Sequence, residues 1–178
     1  MEVEVKFAVE NIDEVRRIVE SMAEFVIEKE EYDLYFNHPC RDFAETDEAL
    51  RVRNDVEGIT LTYKGRKVDP ETKTREEIKV GLDDFDGMVA ILQKLGFRIA
   101  GEVRKKRWIY RDGEITICVD WLDDLGGFVE LEMESDEVES AKEKLFDYAR
   151  KLGLGREKSI RTSYLEMVLN VADSDRKG

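Results

Sequence analysis

The chain opens on strict alternation. Val3, Val5 and Phe7 fall on one side of an extended segment, and Glu2, Glu4 and Lys6 fall on the other. That period predicts a β-strand with one apolar and one charged face. The same period returns along Phe25–Phe36, at Leu50–Arg53, Ile59–Lys64, Thr74–Val80, Phe97–Tyr110, Glu114–Asp120 and Phe128–Met133. Helical spacing interrupts it three times. Ile12, Val15, Ile18, Val19 and Met22 follow Asn11, and Glu14 completes a capping-box pattern. Phe85, Met88, Val89, Leu92 and Leu95 follow Asp83 and stop at Gly96. Val138, Ala141, Leu145, Ala149 and Leu152 stop at Gly153. A short fourth helix is expected over 161–170.

Between these elements lie turns. Asn37–Phe43 is turn-rich, Asn54–Gly58 is a reversal, and Asp112-Gly113 is a strong hairpin signal. Gly65–Lys73, with Pro70, reads as a polar, mobile loop. A bend is expected at Gly101. The length predicts one domain over 1–170, with 171–178 as a polar tail that frays.

The charged strand faces carry the functional question. Amphipathic helices need an apolar surface to cover, and the apolar strand faces supply it. The charged faces then lie on the other side, where an open sheet would expose them and a barrel would enclose them. Glu2 and Glu4 alone sit roughly 7 Å apart on one face. At an effective dielectric of ~20 they repel by about 2 kcal/mol. An enclosed face would collect Glu77, Asp120, Glu130 and Glu132 beside them. It would also hold Lys6, Arg51, Arg53, Lys64, Arg75, Lys79, Lys105 and Arg107. Buried ions are costly even when paired, so a ligand explains such a face better than structure does. Rows of cations suit a polyphosphate, and carboxylates among them suit Mg²⁺ or Mn²⁺.

Composition narrows this further. A net charge of -13 argues against nucleic acid or an anionic membrane as the main partner. No apolar run approaches a membrane span and no signal peptide is evident, so a soluble cytoplasmic protein with reduced Cys40 and Cys118 is expected. His38 is the only histidine, which disfavours a Ser-His-Asp triad and a histidine zinc site. It reads as a loop residue near the mouth of a tunnel. Trp108 and Tyr110 read as packed under a helix, and Cys118 as a small lining residue. Outer helices or barrel edges are compatible with a homodimer.

Read together, Glu2-x-Glu4-x-Lys6, Arg51-x-Arg53, Thr62-x-Lys64, Arg75-x-Glu77, Lys105-x-Arg107, Asp120 and Phe128-x-Glu130-x-Glu132 resemble the CYTH superfamily, the triphosphate tunnel metalloenzymes. The resemblance covers about residues 1–168. His38-Pro39-Cys40-Arg41-Asp42-Phe43, Thr46-Asp47-Glu48-Ala49-Leu50-Arg51 and Leu61-Thr62-Tyr63-Lys64-Gly65 are similar to the class IV adenylate cyclase (CyaB-like) branch. It implies an α+β fold: a closed antiparallel β-barrel, or tunnel, of about eight strands with helices outside.

The resemblance also implies roles. Glu2, Glu4, Asp120 and Glu130 would be catalytic metal ligands for Mg²⁺ or Mn²⁺, with Glu77 and Glu132 as weaker candidates. Lys6, Arg51, Arg53, Lys64, Arg75, Lys105 and Arg107 would bind the triphosphate. Arg161 and Tyr164 would close one tunnel end. Three readings stay open: a cyclase converting ATP to cyclic AMP and pyrophosphate, a hydrolase of inorganic or thiamine triphosphate, and a protein that binds a nucleotide or polyphosphate without turnover.

Overall fold

A computed structural model describes residues 1–177. The strands are β1 (Glu2–Val9), β2 (Glu24–Asn37), β3 (Ala49–Asp55), β4 (Gly58–Lys64), β5 (Glu77–Leu82), β6 (Arg98–Asp112), β7 (Ile115–Leu122) and β8 (Gly126–Glu134). The helices are α1 (Ile12–Glu20), α2 (Phe43–Thr46), α3 (Phe85–Lys94), α4 (Val138–Lys151) and α5 (Tyr164–Lys177). The hydrogen-bonded order is β1-β8-β7-β6-β2-β3-β4-β5, with antiparallel ladders. The α+β class stands, but the closed barrel is corrected. The order is linear, and among the described residues no ladder joins β1 to β5. The outer edge of β1 instead receives an irregular segment: Lys73 N donates to Glu4 O at 2.9 Å and Arg75 N to Glu2 O at 3.3 Å.

The chain divides into two compact units. The first comprises Met1–Lys29, Lys67–Arg75 and Lys105–Thr162. In its sheet the row Val5, Leu131 and Ile117 is in register across β1, β8 and β7, and all three side chains are buried. Trp108, Tyr110 and Val19 join that core, as does the inner face of α4 through Ala141, Leu145 and Ala149. Truncating a fully buried leucine such as Leu145 to alanine would cost about 2–5 kcal/mol. Asn11 caps α1 as expected, its Oδ1 accepting from Glu14 N at 3.1 Å. Gly113 turns the β6–β7 hairpin at φ +57°.

The second unit comprises Glu30–Arg66, Glu76–Arg104 and the segment from Ser163. Leu34, Phe36, Leu50, Val52 and Leu92 form its core, with Met88, Val89, Leu61 and Tyr63 packed against it. Asp84 caps α3 by accepting from Gly87 N at 3.0 Å. β6 runs through Gly101 without ending there. The glycine has a packing reason, because a Cβ would lie 2.8 Å from Leu165 Cδ1.

Three other expectations change. The strand expected over 74–80 is β5, beginning only at Glu77, so Arg75 lies outside it. α5 continues to Lys177, so the residues expected as a frayed tail are helical, Gly178 lying outside the described residues. The loop expected to be polar and mobile buries Asp69, Thr72 and Lys73. Among the described residues no helix is long and apolar enough to cross a membrane.

Candidate functional site

Two ladders assemble the site in the first unit. Glu4 stands opposite Glu132 and Lys6 opposite Glu130 across β1–β8. Cys118 stands opposite Glu130 across β7–β8, and Asp120 opposite Arg107 across β6–β7. Neighbouring rows of a sheet share a face when register is kept. These side chains therefore share the face opposite the Val5–Leu131–Ile117 core row. The alternation in the sequence correctly put them on one face. The register, which alternation cannot give, decides which of them meet.

Glu2, Glu4 and Glu132 each present a carboxylate oxygen within 4.8 Å of the other two. This trio differs from the expected ligand set. Asp120 and Glu130 are engaged by a guanidinium instead: Arg107 Nε and Nη2 donate to the two Asp120 oxygens, each at 2.6 Å, and Nη2 donates to Glu130 Oε2 at 2.6 Å. Glu77 belongs to the second unit, where it pairs with Lys64 at 2.7 Å.

Lys6 is fully buried, 3.6 Å from Glu130 Oε1, and donates to Thr162 O at 2.8 Å. Burial, reinforced by the charge of Lys73, pushes its ammonium down to about 7, against the pull of Glu130, Glu4 and Asp120. Lys73 was missed in the sequence. Its ammonium ion-pairs with Glu4 and donates to Glu130 Oε1 at 3.3 Å. Burial disfavours its charge, but Glu130 and Glu4 outweigh burial and hold it above the ordinary lysine value. Burial likewise disfavours a charged Glu130, yet Lys73, Arg107 and Lys6 hold it well below the usual carboxylate range. The face is thus a lattice of paired ions in which burial holds Lys6 below its ordinary value. Lys105 and Arg75 are also buried in this unit.

The segment carrying Lys73 is anchored from behind. Lys142 on α4 donates to Asp69 Oδ2 at 3.0 Å. Arg156 binds both Glu71 oxygens, at 3.0 and 2.8 Å. Arg161, expected at a tunnel end, donates to the carbonyls of Asp69 and Thr72 at 2.9 and 3.2 Å.

The second unit holds the remaining expected cations. Arg53 forks onto Asp33 at 2.6 and 2.7 Å and reaches Glu31 at 2.9 Å. Arg51 is buried with looser partners, Asp33 at 3.8 Å and Thr62 Oγ1 at 3.5 Å, and among the described residues its Nε has no hydrogen-bond partner. Asp33 and Glu31 were not expected. They alternate along β2 as any solvated carboxylate would, and only the pairing of Asp33 with Arg53 across β2–β3 marks them. Lys79 is exposed. His38 meets the Phe97 ring edge-to-face and the Phe43 ring at a tilt, and accepts from Cys40 N at 3.0 Å, which makes it a loop-ordering residue.

Residues 1–164 match the CYTH domain. A Methanocaldococcus jannaschii protein, provisionally named an adenylate cyclase, is 38% identical over 174 residues, covering 94% of this chain and 98% of that one. Adenylate cyclase CyaB of Aeromonas hydrophila is 29% identical over 86% of this chain and 81% of its own. Among solved structures, protein PH1819 of Pyrococcus horikoshii superposes with a TM-score of 0.87 at 40% identity, covering 96% of this chain and 99% of that one.

Proposed function

Because the chain belongs to the CYTH family, we propose that it is a divalent-metal-dependent enzyme acting on a triphosphate, and that its reaction is the class IV adenylate cyclase conversion of ATP to cyclic AMP and pyrophosphate. The observation that carries this reading is the Glu2, Glu4 and Glu132 trio, with oxygens within 4.8 Å of one another, on a face shared with the buried cations Lys6, Lys73 and Arg107.

The donor set fits the cation. Mg²⁺ and Mn²⁺ take carboxylate oxygens, and three carboxylates converge here. When bound, a divalent cation neutralises phosphate charge and lowers the pKa of the attacking hydroxyl.

The chain's residues do the rest. Glu2, Glu4 and Glu132 hold the cation. Lys6, Lys105, Arg75 and Arg107 neutralise the triphosphate, and a phosphate beside Lys6 would restore its charge. Asp120 and Glu130 fix the orientation of the Arg107 guanidinium through its Nε and Nη2. Arg51, Arg53 and Lys64 of the second unit are assigned to phosphate as well. In the cyclase reaction the ribose 3′-hydroxyl loses its proton to water, its oxygen bonds to the α-phosphorus, the bond from that phosphorus to the oxygen bridging to the β-phosphate breaks, and pyrophosphate leaves.

Incubation with Mg²⁺ or Mn²⁺ and, separately, ATP, tripolyphosphate and thiamine triphosphate tests this. Cyclic AMP with pyrophosphate, lost in Glu4→Gln, is expected. Release of free phosphate would replace the cyclase with a triphosphatase. Tight binding without turnover would leave a nucleotide- or polyphosphate-binding protein.

A further inference from the structure

Lys73 is out of keeping with the stretch that carries it. Its neighbours in sequence are turn-forming and polar, yet its own side chain is 8% exposed and its ammonium contacts Glu4 and Glu130 at once. Nothing local requires this. The segment is fastened at Asp69 and Glu71 by Lys142 and Arg156, and its carbonyls by Arg161. Its backbone is pinned to β1 by Lys73 N on Glu4 O. Four attachments thus deliver one cation to one carboxylate of the trio.

Glu130 has other cations besides Lys73. It retains Arg107 at 2.6 Å and Lys6 at 3.6 Å. Glu4 is where Lys73 matters, and Glu4 is also a member of the trio. An ammonium on Glu4 and a divalent cation shared by Glu2, Glu4 and Glu132 would be neighbours of like charge competing for one carboxylate.

We propose that Lys73 is the resident counter-ion of this site: it neutralises Glu4 in place of the divalent cation, and its hold on Glu4 and metal loading exclude each other. The inference rests on the metal reading of the trio. A displaced Lys73 ammonium remains next to Glu130 and to the phosphates that arrive with the metal, so it is a positioning residue for the triphosphate once it leaves Glu4. It couples the two ligands. Metal alone must expel an ammonium, whereas metal with triphosphate gives that ammonium a new anion.

The test is direct titration of the metal-free protein with Mn²⁺, read by electron paramagnetic resonance of the free ion, without nucleotide. Lys73→Met is expected to bind Mn²⁺ about tenfold or more tightly than the wild type. That is the scale of repulsion between a single and a double positive charge a few ångström apart, even at the dielectric of bulk water. Lys73→Gln, one atom shorter but still a hydrogen-bond donor without the charge, is expected to do the same, so poor folding of either variant does not decide the matter. Tripolyphosphate binding in saturating Mn²⁺ is expected to weaken in both variants. Unchanged or weaker Mn²⁺ binding in both would overturn the inference while leaving the trio intact. If instead neither the wild type nor either Lys73 variant binds Mn²⁺, or Glu4→Gln binds it as well as the wild type, the metal reading itself falls.

Discussion

Glu4 and Glu132 face each other directly across the β1–β8 ladder. Like charges directly opposite in an antiparallel pair are destabilising. Glu132→Gln is therefore expected to raise the stability of the metal-free protein, by about 0.5–1 kcal/mol. It should also remove much of the stabilisation that Mg²⁺ confers by binding the folded state. Thermal unfolding with and without Mg²⁺ measures both effects. A variant that loses stability yet keeps its full metal response would take Glu132 out of the site.

Lys6 supplies a pH dependence of definite sign. Its folded value is about 7 and its ordinary value 10.5, with burial the leading cause. Between those values the unfolded chain holds a proton that the folded chain has released, so this group's contribution to stability rises with pH across that window. The penalty is fully present below about pH 7 and absent above about pH 10.5. Comparing wild type with Lys6→Met cancels groups common to both. In urea unfolding of the metal-free protein, the Met variant should be favoured most at about pH 6.5, and its advantage should shrink by about pH 9.5. An advantage constant over that range would mean that Lys6 keeps its ordinary titration.

How far the site was legible follows from what alternation can and cannot encode. Period two placed Glu2, Glu4, Lys6, Asp120, Glu130 and Glu132 on one side of their strands, and that is where they lie. It could not say that Glu132 would lie beside Glu2 and Glu4 while Glu130 meets Arg107, because the two differ only in ladder register. Lys73 was invisible for another reason. Its segment is polar and turn-forming, and its partners Lys142, Arg156 and Arg161 lie some seventy to ninety residues further along the chain. Closure failed similarly: nothing in a strand's own pattern says that its edge will meet an irregular segment rather than another strand.

Arg107 and Asp120 form a buried, two-pronged pair, with Asp120 fully buried. Asp120→Asn breaks that pair, while the guanidinium keeps Glu130 at 2.6 Å. Breaking a buried pair from one side costs about 3–5 kcal/mol, and retention of Glu130 should put the loss at the lower end. Denaturant unfolding in the absence of metal checks this. A change below about 1 kcal/mol would imply that water replaces the lost contact.

The two thiols should behave differently. Cys40 is exposed, whereas Cys118 is buried and burial pushes its thiol well above the ordinary value. A mildly alkaline disulfide reagent is expected to titrate one thiol promptly in the native protein and two after denaturation. Two prompt thiols would show the β7 face to be open.

The anchoring of the Lys73 segment also has a consequence in time. Glu4 and Lys73 leave the ribosome early, whereas Lys142, Arg156 and Arg161 follow only after β8 has been made. Synthesis runs from the amino terminus, so a nascent chain can carry every carboxylate of the site before it can fix the cation that faces them. Assembly of this corner is a late, long-range event in the life of each molecule, and a chain arrested before α4 would have the acids without the clasp that restrains them.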